Sequence, residues 1–133
     1  MGEYTDEKTL LRIHICEDDR YGDKALSEAL VDLFNREGYA EATVLKGIAG
    51  FGAQTGQRRD APSERSHRLP VVVEVISCRA RIDWIMPRIC GMMGNGMITQ
   101  GTVKVARRFV KSKQPGYQRV AAVAANSTVF GTC

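Results

Sequence analysis

The stretch LLRIHIC, residues 10–16, alternates apolar and polar side chains. In a β-strand, Leu11, Ile13 and Ile15 would share one face, while Arg12 and His14 would share the other. A strand with a single apolar face has to pack against a covering layer, and neighbouring segments of the chain should supply that layer.

The segment that follows has the repeat of an amphipathic helix. EDDRYGD, residues 17–23, predicts a turn, and KALSEALVDLFNRE, residues 24–37, predicts a helix. Asp23 is the expected N-cap and Gly38 the expected C′ glycine. One helical stripe holds the apolar positions Leu26, Ala29, Leu30, Leu33 and Phe34.

The remaining segments repeat this order. A second strand is predicted at 41–48, a glycine-rich loop begins at Gly47, and LPVVVEVIS, residues 69–77, predicts a third strand. CRARIDWIMPRICGMMGNG, residues 78–96, predicts a second helix that Pro87 should kink. MITQGTVKVARRFV, residues 97–110, predicts the fourth strand. The order β-α-β-β-α-β predicts an α+β, ferredoxin-like sandwich. We expect one domain over residues 1–111, with its core at 10–111, and a tail of uncertain order at 112–133.

The second helix and the open sheet face carry further expectations. The apolar surface of this helix is expected to include Ile82, Trp84, Ile85, Ile89 and Met93. Two helices cover only one face of a four-stranded sheet, and the other face would present Val72, Glu74 and Ile76. Such a mixture favours a self-associating face, with a half-solvated antiparallel face as the alternative.

Composition excludes several classes of protein. The 133 residues are 44% hydrophobic and carry a net charge of +4. No apolar run approaches the roughly 20 residues of a membrane helix, and the N-terminus has no signal-peptide pattern. We therefore expect a cytoplasmic protein without direct membrane insertion. The four cysteines and two histidines have no metal-ligand spacing, so no metal is expected and all four cysteines are predicted to be reduced thiols.

Two glycine-rich turns and one basic cluster could bind an anion. The turns are GFGAQTGQ, residues 50–57, and GMMGNGM, residues 91–97, and the cluster is VKVARRFVKSK, residues 103–113. Converging backbone N–H groups in such turns can bind phosphate, but a plain tight turn and a solvated basic edge give the same pattern. Neither turn is a P-loop or a Rossmann fingerprint. Nothing has the order of a catalytic triad. Nucleic acid is not an expected partner, because the central strands lack the aromatic residues of an RNA-binding sheet.

These motifs resemble those of the PII-like (GlnB-like) signalling superfamily, most closely a small branch with a short T-loop. The base of the family's T-loop reads Gly-Phe-Gly-x-Gln-x-Gly, which Gly50, Phe51, Gly52, Gln54 and Gly56 reproduce. The family's B-loop, Gly-x-x-Gly-Asp-Gly-Lys-Ile, is similar to GMMGNGMI at residues 91–98, and the Thr-Val pair before the T-loop is present at 43–44.

The resemblance implies a non-enzymatic homotrimer that binds an adenine nucleotide in the cleft between subunits. Its T-loop would then change shape and engage a partner protein; a membrane transporter or a bicarbonate uptake system is the candidate. The implied nucleotide-binding residues are Thr43, Val44, Gly50, Phe51, Gly52, Gln54, Gly94, Asn95, Gly96, Arg107 and Arg108.

The sequence departs from the family at positions where basic side chains would bind the nucleotide phosphates. Met92 and Met97 stand at B-loop positions that hold lysines, and Ala53 replaces the arginine that usually follows Gly-Phe-Gly. AMP or ADP is therefore expected to be favoured over ATP, although ATP binding stays open. Two alternatives also stay open: a CutA-like structural or metal-tolerance trimer without nucleotide, and a small enzyme of unknown reaction that uses Asp18, Asp19 or His14.

Overall fold

An antiparallel sheet with two helices on one face makes up the described part of the chain. The structure is a computed structural model, and it describes residues 6–51 and 68–110. The sheet contains β1 (Glu7–Cys16), β4 (Thr43–Lys46), β5 (Pro70–Ser77) and β6 (Met97–Lys104); the helices are α1 (Leu26–Arg36) and α2 (Arg79–Met92). The strand order β4-β5-β1-β6 is that of a ferredoxin-like fold, so the predicted α+β class is confirmed.

The core lies between the helices and the sheet. The alternation read from residues 10–16 is confirmed, because Leu11, Ile13 and Ile15 are buried. The predicted stripe of α1 is buried as well. Apolar side chains from α1, β5 and α2 close the core: Leu30, Leu33, Phe34, Val71, Val73, Val75, Ile82, Ile85 and Ile89.

The strands differ in length from the sequence predictions. β1 begins at Glu7, three residues earlier than expected, because Glu7 and Lys8 continue the pairing with β6. β4 is limited to Thr43–Lys46, half of the predicted 41–48. β6 ends at Lys104 rather than at residue 110. The predicted tail 112–133 lies outside the described residues.

A short hairpin replaces the expected turn and N-cap before α1. β2 (Arg20–Tyr21) pairs with β3 (Lys24–Ala25), and Gly22 has a φ of 66° at the bend. The N-cap residue is Ala25, without a side-chain hydrogen bond, so the Asp23 prediction is wrong. The backbone carbonyl of Asp19 accepts the N–H of Leu26 at 2.8 Å instead. Gly38 has a φ of 78° after α1, as the C′ prediction requires.

The packed side of α2 contains a buried arginine. Arg81 is 5% exposed, whereas Trp84, predicted to belong to the apolar surface, is 45% exposed. Arg81 donates through Nη2 to the carbonyl of Glu37 at 2.7 Å and through Nη1 to that of Gly38 at 3.4 Å. Its guanidinium lies 4.0 Å from the centre of the Tyr39 ring, whose hydroxyl donates to the Arg81 carbonyl at 2.7 Å. The start of α2 is thereby fastened to the end of α1.

The cysteines divide into two states. Cys16 and Cys90 carry free thiols, but Cys78 is disulfide-bonded, so the prediction of four reduced thiols is wrong at that position. Burial raises the pKa of the Cys16 thiol to about 11, which keeps it protonated at neutral pH.

Candidate functional site

The start of the first glycine turn, Gly50 and Phe51, lies at the same end of the sheet as the second glycine turn. The chain leaves β4 through residues 46–51, which we call the outgoing stem. It enters β5 through residues 68–70, which we call the return stem. Gly47 donates its N–H to the Pro70 carbonyl at 2.7 Å, and Pro70 is paired with Cys16 at the end of β1. The second glycine turn, residues 94–96, leads into β6 beside His14. Because β5 and β1 lie between the turns, the turns are separated by about 14 Å, three inter-strand spacings.

Gly96 has no room for a side chain. Its φ is 133°, and a Cβ there would lie 2.5 Å from the backbone oxygen of His14. Gly94 differs, since no atom lies within 4 Å of the position that its Cβ would take. Asn95 between them is exposed. The second glycine turn therefore has one residue fixed against β1 and an open backbone beside it that a ligand can approach closely.

The outgoing stem presents apolar side chains to solvent. Ile48 is 96% exposed and Phe51 is 80% exposed. Gly50 has a φ of 141° and lies against the ring of Pro70. Two other predicted site residues, Gly52 and Gln54, fall outside the described residues.

Thr43 and Val44 lie on β4, an edge strand, and point to opposite faces. Thr43 is paired with Glu74 and faces the open side of the sheet, whereas Val44 is paired with the buried Val73. Both are exposed, Val44 to 43%. A hydroxyl and an apolar side chain are therefore available along the strand that leads to the outgoing stem.

The two predicted arginines lie at the opposite end of the sheet. After β6, Val105 donates its N–H to the carbonyl of Asp6, just before β1 begins. Arg108 Nη2 lies 4.0 Å from Glu41 Oε2, ahead of β4. A ten-residue strand such as β1 spans about 30 Å. Within one chain, Arg107 and Arg108 are thus not brought together with the glycine turns.

The turn after β1 contacts both stems. Glu17 Oε2 lies 3.0 Å from Lys46 Nζ, and Oε1 accepts the N–H of Leu69 at 3.3 Å. The Glu17 N–H donates to the Leu69 carbonyl at 2.9 Å. Asp18 pairs with Arg68 at 3.4 Å. Sequence reasoning missed this arrangement, because it joins residues more than 25 positions apart.

The residues considered for an enzyme take part in structural contacts. Asp19 Oδ2 accepts the N–H of Cys16 at 2.9 Å, Asp18 pairs with Arg68, and His14 Nε2 lies 3.3 Å from Thr99 Oγ1. The described residues contain no group of three or more acidic, histidine or cysteine side chains able to hold a metal.

The open face of the sheet combines an ion pair with apolar side chains. Arg12 Nε donates to Glu74 Oε2 at 2.8 Å, so Glu74 has a partner that the sequence did not reveal. Half-buried Val72 and Ile76 share this face with Leu45 and Met97, which are 47% and 55% exposed. A face of this composition is suited to contact with another protein surface.

The helix layer carries an open groove on the other side of the molecule, bounded by the β2–β3 hairpin, α1 and α2. Its volume is about 540 Å³. Lys24 Nζ and Asp32 Oδ2 lie 2.7 Å apart within it, and this hydrogen bond lowers the pKa of Asp32. No described helix is long and apolar enough to cross a membrane.

Comparison with known proteins identifies the family. The model of DUF190, described as Uncharacterized ACR, COG1993, matches residues 8–105. The chain belongs to this family. It is 34% identical over 99 residues to the UPF0166 protein of Aquifex aeolicus, an alignment that covers 74% of this chain and 93% of the relative. It is 29% identical over 90 residues to the UPF0166 protein MJ1524 of Methanocaldococcus jannaschii, covering 67% and 82%.

The DUF190 chain also shares its fold with a solved PII-like protein. That protein is CPII of Thiomonas intermedia K12, described as a nitrogen regulatory PII-like protein bound to ADP, AMP and bicarbonate. The TM-score is 0.52 at 12% identity, over 80% of this chain and all of CPII. At this identity the likeness shows the fold. It confirms the PII-like fold that the resemblance in sequence predicted.

Proposed function

We propose that this DUF190 protein is a non-enzymatic, cytoplasmic regulator that binds an adenine nucleotide between the subunits of a homotrimer. AMP and ADP are the favoured ligands. The glycine-rich loop between the second and third predicted strands corresponds to the T-loop and would change its contacts on ligand binding to control a partner protein. A membrane transporter or an inorganic-carbon system is the candidate partner, and CPII, whose solved structure contains bicarbonate, motivates testing bicarbonate as a second effector.

The observation that carries the proposal is that the start of the first glycine turn and the second glycine turn lie at the same end of a PII-like sheet, about 14 Å apart. Gly96 is fixed against β1 while the neighbouring backbone stays open, and Gly50 and Phe51 lie across the same end. Backbone N–H groups that converge in such turns can stabilise phosphate without a lysine.

The position of the arginines supports a site between subunits. Arg107 and Arg108 lie at the far end of the same chain, where Arg108 contacts Glu41. A neighbouring subunit packed through the open sheet face could bring its own arginines to the glycine turns. A trimer would thus cover the open apolar face and would also complete a phosphate site that one chain leaves incomplete.

Thermal unfolding with AMP, ADP, ATP and adenosine, followed by calorimetry, tests the proposal. A nucleotide present at 100 times its Kd should stabilise the folded state by about 2.7 kcal/mol. We expect stabilisation by ADP and AMP, one site per subunit, and a trimer by light scattering. A shift produced by divalent cations and by no nucleotide would contradict the proposal and favour the CutA-like alternative.

A further inference from the structure

An ion pair at the base of the outgoing stem has no role in the function proposed above. Lys46 is the last residue of β4, directly before the glycine-rich loop that begins at Gly47 and leads into the first glycine turn. Its ammonium group contacts Glu17 Oε2 at 3.0 Å, and the Lys46 side chain is 55% exposed. A flexible, exposed cation beside a proposed phosphate site is able to change partners.

Glu17 is held more firmly than Lys46. Its backbone N–H donates to the Leu69 carbonyl at 2.9 Å, and its Oε1 accepts the Leu69 N–H at 3.3 Å. Its side chain is 28% exposed. If the ion pair is broken, the backbone contact keeps Glu17 against the return stem, and Lys46 is the group that moves.

We propose that Lys46 is a phosphate-binding residue of this site and that Glu17 is an internal competitor for it. The inference rests on the proposed function. A phosphate arriving at the glycine turns would replace the Glu17 carboxylate as the partner of Lys46. Lys46 would thereby supply part of the positive charge that Met92, Met97 and Ala53 do not provide.

Exchange of partners also changes the return stem. A carboxylate paired with a lysine shares its negative charge between Lys46 and the Leu69 N–H. Once Lys46 binds the phosphate, the Glu17 carboxylate no longer pairs with an ammonium group. Its full negative charge then strengthens the hydrogen bond that it accepts from the Leu69 N–H. Ligand binding at one stem would therefore increase the protection of the Leu69 amide on the other.

Charge-neutral variants separate the two roles. Glu17→Gln keeps an oxygen for the Leu69 N–H but removes the competing charge. ADP should therefore bind about 1.5- to five-fold more tightly, the range expected for an exposed ion pair. Lys46→Gln should weaken ADP about ten-fold. In a Lys46→Gln background, Glu17→Gln should have no further effect, because the competitor no longer has a target.

Asp18→Asn is the matched control. It removes the same negative charge one residue away and breaks the pair with Arg68, but leaves Lys46 untouched. Adenosine is the matched ligand, since it has no phosphate and should bind wild type and Glu17→Gln equally. Hydrogen exchange at the Leu69 amide should slow on ADP binding in wild type.

The competitor role is overturned if Asp18→Asn tightens ADP as much as Glu17→Gln, or if the Glu17 effect persists without Lys46. Should wild type bind no adenine nucleotide, the proposed function fails, and pyrophosphate becomes the probe. A selective gain by Glu17→Gln over Asp18→Asn with pyrophosphate would still support the competitor. Absence of pyrophosphate binding by every variant would overturn it too.

Discussion

At the scale of single residues, the two glycines of the second glycine turn differ although the sequence presents them alike. Gly96 combines a φ of 133° with a would-be Cβ contact of 2.5 Å to the His14 oxygen. Gly94 has neither constraint. The sequence predicts that both belong to a turn, but it contains no signal for which one lies against β1, because that contact forms only when β1 and β6 pair.

Substituting these glycines by alanine should separate the two roles. Gly96→Ala places a Cβ in a left-handed backbone and against a carbonyl, and such strain costs about 1–3 kcal/mol before the clash with His14 is added. Gly94→Ala is the matched control and should change stability by less than about 0.5 kcal/mol. Urea unfolding measures both; equal losses for the two variants would contradict the assigned geometry.

At the scale of elements, the two helices and the four strands of the main sheet were predicted in the right number and order, but the contact between the helices was predicted only in part. The alternation in β1 and the stripe of α1 depend on local periodicity, which the sequence contains in full. Helical geometry could also have predicted which side of α2 is buried. At about 100° per residue, Trp84 lies about 160° around the helix from Ile82, whereas Arg81 lies about 100° from it. Counting apolar residues placed Trp84 in the core and left out Arg81.

The β2–β3 hairpin shows a different limit of local sequence. Residues 20–25 form two-residue strands around Gly22. The expected N-cap at Asp23 is typical chemistry for a helix start. It fails here because the Asp19 carbonyl satisfies the Leu26 N–H from across the loop, at 2.8 Å. A capping pattern considers only the residues next to the helix start, so it cannot predict a contact between residues seven positions apart.

Arg81 is the residue that joins the two helices, so its removal should weaken the helix layer. Arg81→Met leaves the carbonyls of Glu37 and Gly38 without their charged donor, and loss of such bonds should cost about 2–3 kcal/mol of unfolding free energy. Arg81→Lys retains the charge but loses the forked geometry and the contact with the Tyr39 ring, so it should rescue only part of that loss.

Arg79→Met is the control for Arg81. Arg79 belongs to the same first turn of α2, but its side chain is 72% exposed and pairs with the exposed Asp83 at 3.4 Å. It should change stability by less than about 0.5 kcal/mol. Chemical denaturation compares the variants; an Arg81→Met protein as stable as Arg79→Met would mean that the buried arginine does not hold the helices together.

At the scale of the whole molecule, the open sheet face and the separated site residues both point to association. The sequence indicated an unusual face through Val72, Glu74 and Ile76. It could not indicate that Glu74 pairs with Arg12, or that Arg108 lies far from the glycine turns, since both follow from strand order.

Ile76→Asp tests the assembly. Ile76 is half-buried on the open face opposite Leu10, so a contact there would bury an unpaired carboxylate, and the variant should dissociate or unfold. Ile48→Asp makes the same chemical change at a side chain that is 96% exposed and should leave assembly unchanged. Light scattering measures mass and circular dichroism measures folding. A wild-type monomer, or an Ile76→Asp variant that stays trimeric, would refute assembly through this face.

Nucleotide preference tests the site across the assembled molecule. Each phosphate needs cations or converging N–H groups to offset its desolvation, and this chain has Met92 and Met97 where lysines would reach furthest. A lost charge-assisted contact costs about 1.5–3 kcal/mol, or one to two decades of affinity. AMP or ADP should therefore bind at least as tightly as ATP.

Two variants should distinguish the contribution of the phosphates to nucleotide affinity from that of the adenine base. The Arg108 side chain is about half-exposed and lies 4.0 Å from Glu41, so this ion pair contributes little to stability. Arg108→Ala should therefore preserve folding while weakening ADP more than AMP. Thr43→Val removes a hydroxyl that the resemblance to PII-like proteins assigns to the adenine, so it should weaken both ligands alike. Arg79→Ala controls for net charge and should leave both affinities unchanged. If calorimetry finds ATP clearly tightest and Arg108→Ala without effect, the phosphates are bound by other groups and the assignment of Arg108 is wrong.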